Sequence, residues 1–65
     1  MTLEQATERY MALEFGSSGT SEWFYLAGYI DCLNDVCVHG DLDYRMGFYD
    51  AAGDHDLDTS KWVST

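Results

Sequence analysis

The chain has 65 residues, with 12 acidic side chains against 3 basic ones and a formal net charge of -9. That length holds one small domain, residues 1–65, and leaves no room for a dinucleotide-binding fold or a barrel. The charge argues against direct binding of DNA, RNA or an anionic membrane, all of which need a basic footprint. A content of 46% apolar and 15% aromatic residues separates the chain from acidic disordered segments.

The first predicted helix runs from Leu3 to Phe15. Thr2, with Gln5 three residues later, reads as a capping box. Glu4 falls in the first turn, where the helix dipole favours negative charge. Leu3, Ala6, Tyr10 and Leu13 share a face at helical spacing. Gly16 is the expected stop, and Gly16-Ser17-Ser18-Gly19 the expected loop. Residues 1–10 lack a basic start and an apolar run, and nothing approaches the roughly 18 apolar residues of a membrane span. No targeting or spanning segment is therefore expected.

The second predicted helix runs from Ser21 to Val38, capped by Thr20 or Ser21 and ended by Gly40. Trp23, Leu26, Ile30, Leu33 and Cys37 form one apolar stripe, and Tyr25, Tyr29, Cys32 and Val36 a second beside it. A helix apolar over most of its circumference belongs in the middle of a fold. Gly28 costs about 1 kcal/mol relative to Ala and is expected to mark a close helix crossing. Cys32 and Cys37, both on this helix, point about 140° apart at roughly 100° per residue. No disulfide then joins them, which fits a reduced, intracellular protein.

The third predicted helix runs from Leu42 to Ala52, with Asp41 as N-cap and Gly53 as stop. Leu42, Met46 and Tyr49 are expected to face the core, Tyr44 and Phe48 to turn away, and Arg45 to pair with Asp41. The tail, Asp54 to Thr65, has an acidic start, with Trp62-Val63 available to anchor it. Trp23 to Tyr29 and Phe48-Tyr49 include strand formers, but the flanking periodicity is helical. The expected fold is all-α, a compact three-helix domain with a short C-terminal tail. Self-repulsion at this charge predicts that salt stabilises it.

Catalytic and metal chemistry find little support. Asp54-x-Asp56-x-Asp58 begins like a calcium loop, but Thr59 and Thr65 stand where glycine and a bidentate glutamate are required. Cys32, Cys37, His39 and His55 match no standard zinc spacing. The chain lacks a nucleophile elbow, a phosphate-binding glycine loop and a metalloprotease helix. A domain this small is mostly surface and has little room for a water-excluding pocket. No catalytic residue, metal or cofactor is expected, and the chain does not read as an enzyme.

The acidic residues are more informative. Glu4 and Glu8 are four apart on the first helix, Asp31 and Asp35 four apart on the second, and Asp43 and Asp50 seven apart on the third. Like charges four apart cost a few tenths of a kcal/mol, and solubility needs a net charge of only about 2 to 8. Such carboxylates lie about 6 Å apart along a helix axis, while phosphates advance about 3.4 Å along a DNA strand. Rows of them imitate a nucleic-acid backbone, so the expected partner is the basic DNA-binding surface of a protein. Asp54, Asp56 and Asp58 form a second acidic group. Tyr44 and Phe48 are the candidate aromatic anchors that would add specificity, with Met11 and Phe15 a similar pair beside Glu4 and Glu8. The competing assignment packs the aromatics under the tail with Trp62.

In size, helical pattern, acidic stripes and lack of catalytic motifs, the whole chain resembles the small DNA-mimicking inhibitors made by bacteriophages. The likeness is to anti-CRISPR proteins of the type I systems, including the small inhibitor of the type I-C surveillance complex. It implies a monomer in the cytoplasm of an infected bacterial host that blocks target-DNA binding by the surveillance complex, Cascade. Glu4, Glu8, Asp31, Asp35, Asp43 and Asp50 would then stand in for phosphates, a choice made by stripe and not by a shared motif. The residues themselves leave open a protein–protein adaptor and a DNA mimic directed at a restriction or repair enzyme.

Overall fold

Three polar caps start three helices where the sequence places them. In the computed structural model, which describes residues 1–38 and 40–62, α1 spans Leu3–Glu14. The Thr2 hydroxyl accepts the Gln5 N–H at 3.1 Å, and the Gln5 side chain accepts the Thr2 N–H at 3.0 Å. This reciprocal pair satisfies two of the amide donors that a helix start leaves open. Helix α2 spans Ser21–Leu33. Thr20 accepts the Trp23 N–H at 3.3 Å and donates its own hydroxyl to the Ser17 carbonyl at 2.8 Å. Gly19, at φ +83°, supplies the left-handed turn that lets the chain reach this cap. Helix α3 spans Leu42–His55, opened by Asp41, whose carboxylate accepts the Asp43 N–H at 2.9 Å. A single 3-10 turn, Ser60–Trp62, follows. The described residues form an all-α, three-helix domain.

Two helix ends differ from expectation. Helix α2 stops at Leu33, well short of Val38, because Asn34 and Asp35 close it. Asp35 adopts φ +60°, its N–H bonds to the Cys32 carbonyl at 3.1 Å, and the Val36 N–H bonds to the Asp31 carbonyl at 2.8 Å. These are the two bonds of a Schellman cap, with aspartate in the position glycine usually takes. Cys37 therefore lies off the helix, and the 140° argument does not apply to it; both cysteines are free thiols. Helix α3 runs through Gly53 to His55 and ends on Asp56 at φ +52°. The Leu57 N–H returns to the Ala52 carbonyl at 2.9 Å.

The core sits where α2 packs between α1 and α3. Ala6, Leu26, Tyr29, Cys32, Tyr44, Phe48, Ala51 and Ala52 are buried. Gly28 does mark a helix crossing: a Cβ there would overlap the Tyr44 carbonyl. Gly47 is its counterpart, since a Cβ on it would overlap the Tyr25 carbonyl. Two backbones meet at these positions, which only glycine permits.

That crossing reverses the expected orientation of α3. Leu42, Met46 and Tyr49 face outward at 70%, 52% and 42% exposure, while Tyr44 and Phe48 are the buried face. The Phe48 and Trp62 rings meet edge to face at 6.3 Å, so the tail packs on the aromatic core through Trp62. Among the described residues Arg45 forms no ion pair with Asp41. His39, Val63 and Thr65 lie outside the described residues.

Candidate protein-binding surface

The acidic residues divide by what holds them. Three carboxylates are gripped by tyrosine hydroxyls across the α2–α3 interface. Tyr44 donates to Asp31 at 2.6 Å, Tyr29 to Asp54 at 2.8 Å, and Tyr25 to Asp50. Two of these pairs repeat at the same helical step, Tyr25 and Tyr29 on α2 against Asp50 and Asp54 on α3. The Tyr29 hydroxyl also accepts from the Met1 amino group at 2.8 Å, while His55 Nε2 lies 2.7 Å from the Met1 carbonyl. The α1 end of the chain is thereby tied to α3.

These contacts shift the phenols. The Tyr25 pKa is pushed up to about 12, first by its bond to Asp50 and then by burial. Tyr29 also rises to about 12, with burial first and the Asp54 bond second. Burial and the Asp31 bond raise Tyr44 as well. All three remain protonated donors near neutral pH. A neutral donor fixes a carboxylate without cancelling its charge.

Other acidic residues have local roles. Asp35 pairs with Lys61 at 2.7 Å, and Glu22 with Arg9 at 3.1 Å. Asp58 accepts the Ser60 N–H at 2.9 Å, and that bond holds its carboxyl below the usual range. Glu4, Glu8, Asp43 and Asp56 make no side-chain hydrogen bond or ion pair among the described residues. Only three of the twelve acidic side chains, Glu22, Asp35 and Asp54, have a described cation within 4 Å. The remaining nine keep their charge facing solvent or a neutral donor.

The structure thus separates the sequence-predicted groups. Glu4 and Glu8 share the exposed side of α1. Asp31 and Asp35 are split, one gripped by Tyr44 and the other paired with Lys61 beyond the helix end. Asp43 and Asp50 lie on one side of α3. Asp54 lies on α3, Asp56 is its left-handed cap, and Asp58 lies in the irregular segment before the 3-10 turn. No three His, Cys, Asp or Glu side chains among the described residues converge as a metal site. Tyr44 and Phe48 are core residues at 0% and 2% exposure, which removes them as surface anchors. They are buried because the Gly28–Gly47 crossing turns their face of α3 inward.

The exposed apolar groups lie elsewhere. Leu42, Met46 and Tyr49 form a stripe on the outer side of α3 beside Asp43 and Asp50. On α1, Met11 is 54% and Phe15 91% exposed. Between α1 and α2 lies a groove of about 400 Å³ whose lining includes Tyr10, Met11, Trp23, Ala27, Ile30 and Asp31. The Tyr10 and Trp23 rings stack along it at 5.2 Å and 25°. The Trp23 indole nitrogen is buried without a hydrogen-bond partner among the described residues. Tyr10, Trp23 and Ile30 were expected in the core, Met11 beside the acidic stripe of α1 and Asp31 among the phosphate stand-ins, and a stripe pattern gives no sign of a gap between two helices. Cys32 is buried, and burial raises its thiol pKa, which argues against a reactive cysteine.

No family model, curated protein or solved structure matches the chain.

Proposed function

We propose that this chain is a stoichiometric inhibitor that occupies a basic, DNA-binding groove of a protein by presenting carboxylates in place of phosphates. The target class to test first is a type I CRISPR surveillance complex, as the resemblance of the whole chain indicates. The observation that carries the reading is the treatment of the acidic residues. Nine of the twelve have no described cation beside them, and two of those nine, Asp31 and Asp50, are held by neutral tyrosines. A surface evolved only for solubility has no need to orient its charges. Fixed, uncompensated carboxylates suit a partner whose lysines and arginines normally meet a phosphate backbone, and they speed encounter by steering.

The test is competition for target DNA on a purified type I-C surveillance complex at two salt concentrations. The wild-type protein should displace DNA, and less well at high salt. Glu4→Gln, Glu8→Gln and Asp43→Asn together should weaken displacement by about tenfold or more, given coupling of at least about 1.4 kcal/mol across close charge pairs. Helicity should be unchanged, since none of the three side chains bonds within the fold. Full displacement by the triple variant would sink the mimicry reading.

A second reading, a protein–protein adaptor, is favoured by the outer stripe of α3. Leu42, Met46 and Tyr49 are too exposed to serve the core, and contiguous exposed apolar groups mark interaction surfaces. An adaptor that binds through them would respond little to salt. It would lose more from Leu42→Ala and Met46→Ala than from the carboxylate changes.

A further inference from the structure

We propose that the groove between α1 and α2 is a receptor for one arginine side chain of the basic protein partner. This deepens the mimicry reading and rests on it. The groove has three parts that match the three parts of arginine. Met11, Ala27 and Ile30 give apolar walls for the methylene stem, which packs on apolar surface while its head stays polar. The stacked Tyr10 and Trp23 rings give an aromatic surface against which a guanidinium plane can lie. Asp31 lies in the groove lining, and among the described residues only one of its two oxygens receives a hydrogen bond, from Tyr44.

The electrostatics point the same way. Glu14 and Asp31 both raise the Tyr10 phenol pKa, after burial. Their two negative charges therefore reach the same hydroxyl, one from α1 and one from α2. Among the described residues no lysine or arginine lines the groove: Arg9 is engaged with Glu22, Lys61 with Asp35, and Arg45 sits on α3. A volume of about 400 Å³ falls within the ordinary range of ligand clefts, about 300 to 1,000 Å³. Charge complementarity selects the occupant. A nucleic acid, an anionic lipid or a second copy of a chain at -9 brings like charge to an acidic groove.

Trp23 reports directly on this site. In a Trp62→Phe background it is the sole indole of the two in the chain, so its emission can be followed as peptides are added. The probes are three short peptides identical except for a central arginine, lysine or citrulline. The arginine peptide should shift Trp23 emission and bind about fivefold tighter than the citrulline peptide, with lysine between them. Ala27→Leu, which narrows the groove, should abolish the preference. Glu14→Gln, an exposed change that cannot unfold the domain, should reduce it. Equal binding of the arginine and citrulline peptides, an absent Trp23 response, or a preference untouched by both variants would overturn the assignment. So would an emission shift that follows protein concentration without peptide, which would place a second copy in the groove. Loss of the arginine preference with DNA displacement intact removes the groove alone. An intact preference with no displacement removes the mimicry reading instead.

Discussion

Helix α2 meets its two neighbours in different ways. Against α3 it presents backbone to backbone at Gly28 and Gly47, flanked by tyrosine–aspartate bonds that reach from each helix to the other. Against α1 it makes side-chain contact, with Ala6 buried, Tyr10 and Leu13 packed on the core, and an open groove beside the Tyr10–Trp23 stack. The α2–α3 side tolerates no added atom at its crossing, while the α1–α2 side has volume to spare. The tight side fixes charges in place. The loose side leaves concave surface for a partner. A small acidic domain can thus separate the part that resists self-repulsion from the part that receives another molecule.

The most severe way to break this comparison is at the crossing. Gly28→Ala or Gly47→Ala forces a methyl group into a facing carbonyl, with no flexible side chain to give way. The expected cost is about 3 kcal/mol or more, at the upper end for overpacking. A 65-residue domain holds only about 3–10 kcal/mol in total, at about 0.05–0.15 kcal/mol per residue. Either variant should lower the urea midpoint by about a third or more, and at the low end of that range lose most of its helical circular dichroism near room temperature. A stable variant with an unchanged urea midpoint would show that the two backbones are not in contact.

The tyrosine–aspartate bonds give the next largest effect, and it depends on pH. Tyr25 and Tyr29 titrate near 12 in the fold and near 10 when unfolded. Above pH 10 the unfolded chain releases phenol protons that the folded chain retains, so stability falls as pH rises. The contribution is fully present below pH 10 and is lost as pH passes through about 12. Ultraviolet titration should show tyrosinate appearing together with loss of helix. Tyr25→Phe and Tyr29→Phe should flatten this alkaline transition and cost about 1.5–3 kcal/mol each at pH 7, as bonds to charged groups do. A plain phenol titration near pH 10 with the helices intact would contradict the bonds.

These two tests also show where the sequence was legible. Each N-cap was readable because it is a local event, one polar side chain and an amide two or three residues on. The Asn34-Asp35 stop was written in the sequence too, but a left-handed aspartate is a weaker signal than the Gly40 downstream. The orientation of α3 could not be read from apolar periodicity, because the helix is apolar on both sides. Leu42, Met46 and Tyr49 lie roughly opposite Tyr44, Phe48 and Ala51 at 100° per residue. What decides between them is Gly47, which matters only because Gly28 on another helix comes to meet it. The tyrosine grips on Asp31, Asp50 and Asp54 are likewise non-local. For that reason neither the stripes, which hold Asp31 and Asp50, nor the acidic tail group, which holds Asp54, gives any sign of these grips or of the α1–α2 groove.

The α1 side should answer more mildly to damage. Thr2→Ala removes the capping-box acceptor for the Gln5 N–H and should cost about 1 kcal/mol. The loss should appear as faster hydrogen exchange in the first turns of α1, with the amides of α3 still protected. Equal loss of protection in all three helices would mean that α1 and the α2–α3 pair unfold as one unit, and that the difference in packing has no counterpart in stability.

The smallest effect is that of salt, and its sign is what matters. Added salt screens attraction and repulsion alike. The attractive part is slight: the Arg9–Glu22 and Lys61–Asp35 pairs have side chains 53–70% exposed, and such pairs contribute about 0–1 kcal/mol. The repulsive part arises from nine carboxylates with no described cation beside them, several at helical spacing. Repulsion should win, so raising ionic strength should increase the melting temperature, by about 4–8 °C for each 1 kcal/mol gained in a domain of this size. The same salt should weaken the complex with a basic partner, because there it screens an attraction. Stability and affinity should therefore move in opposite directions along one salt series. If both rise together, apolar contact at Leu42, Met46 and Tyr49 dominates binding and the acid serves the free protein alone. If the melting temperature falls instead, the few ion pairs outweigh the repulsion and the uncompensated surface is less costly than its charge implies.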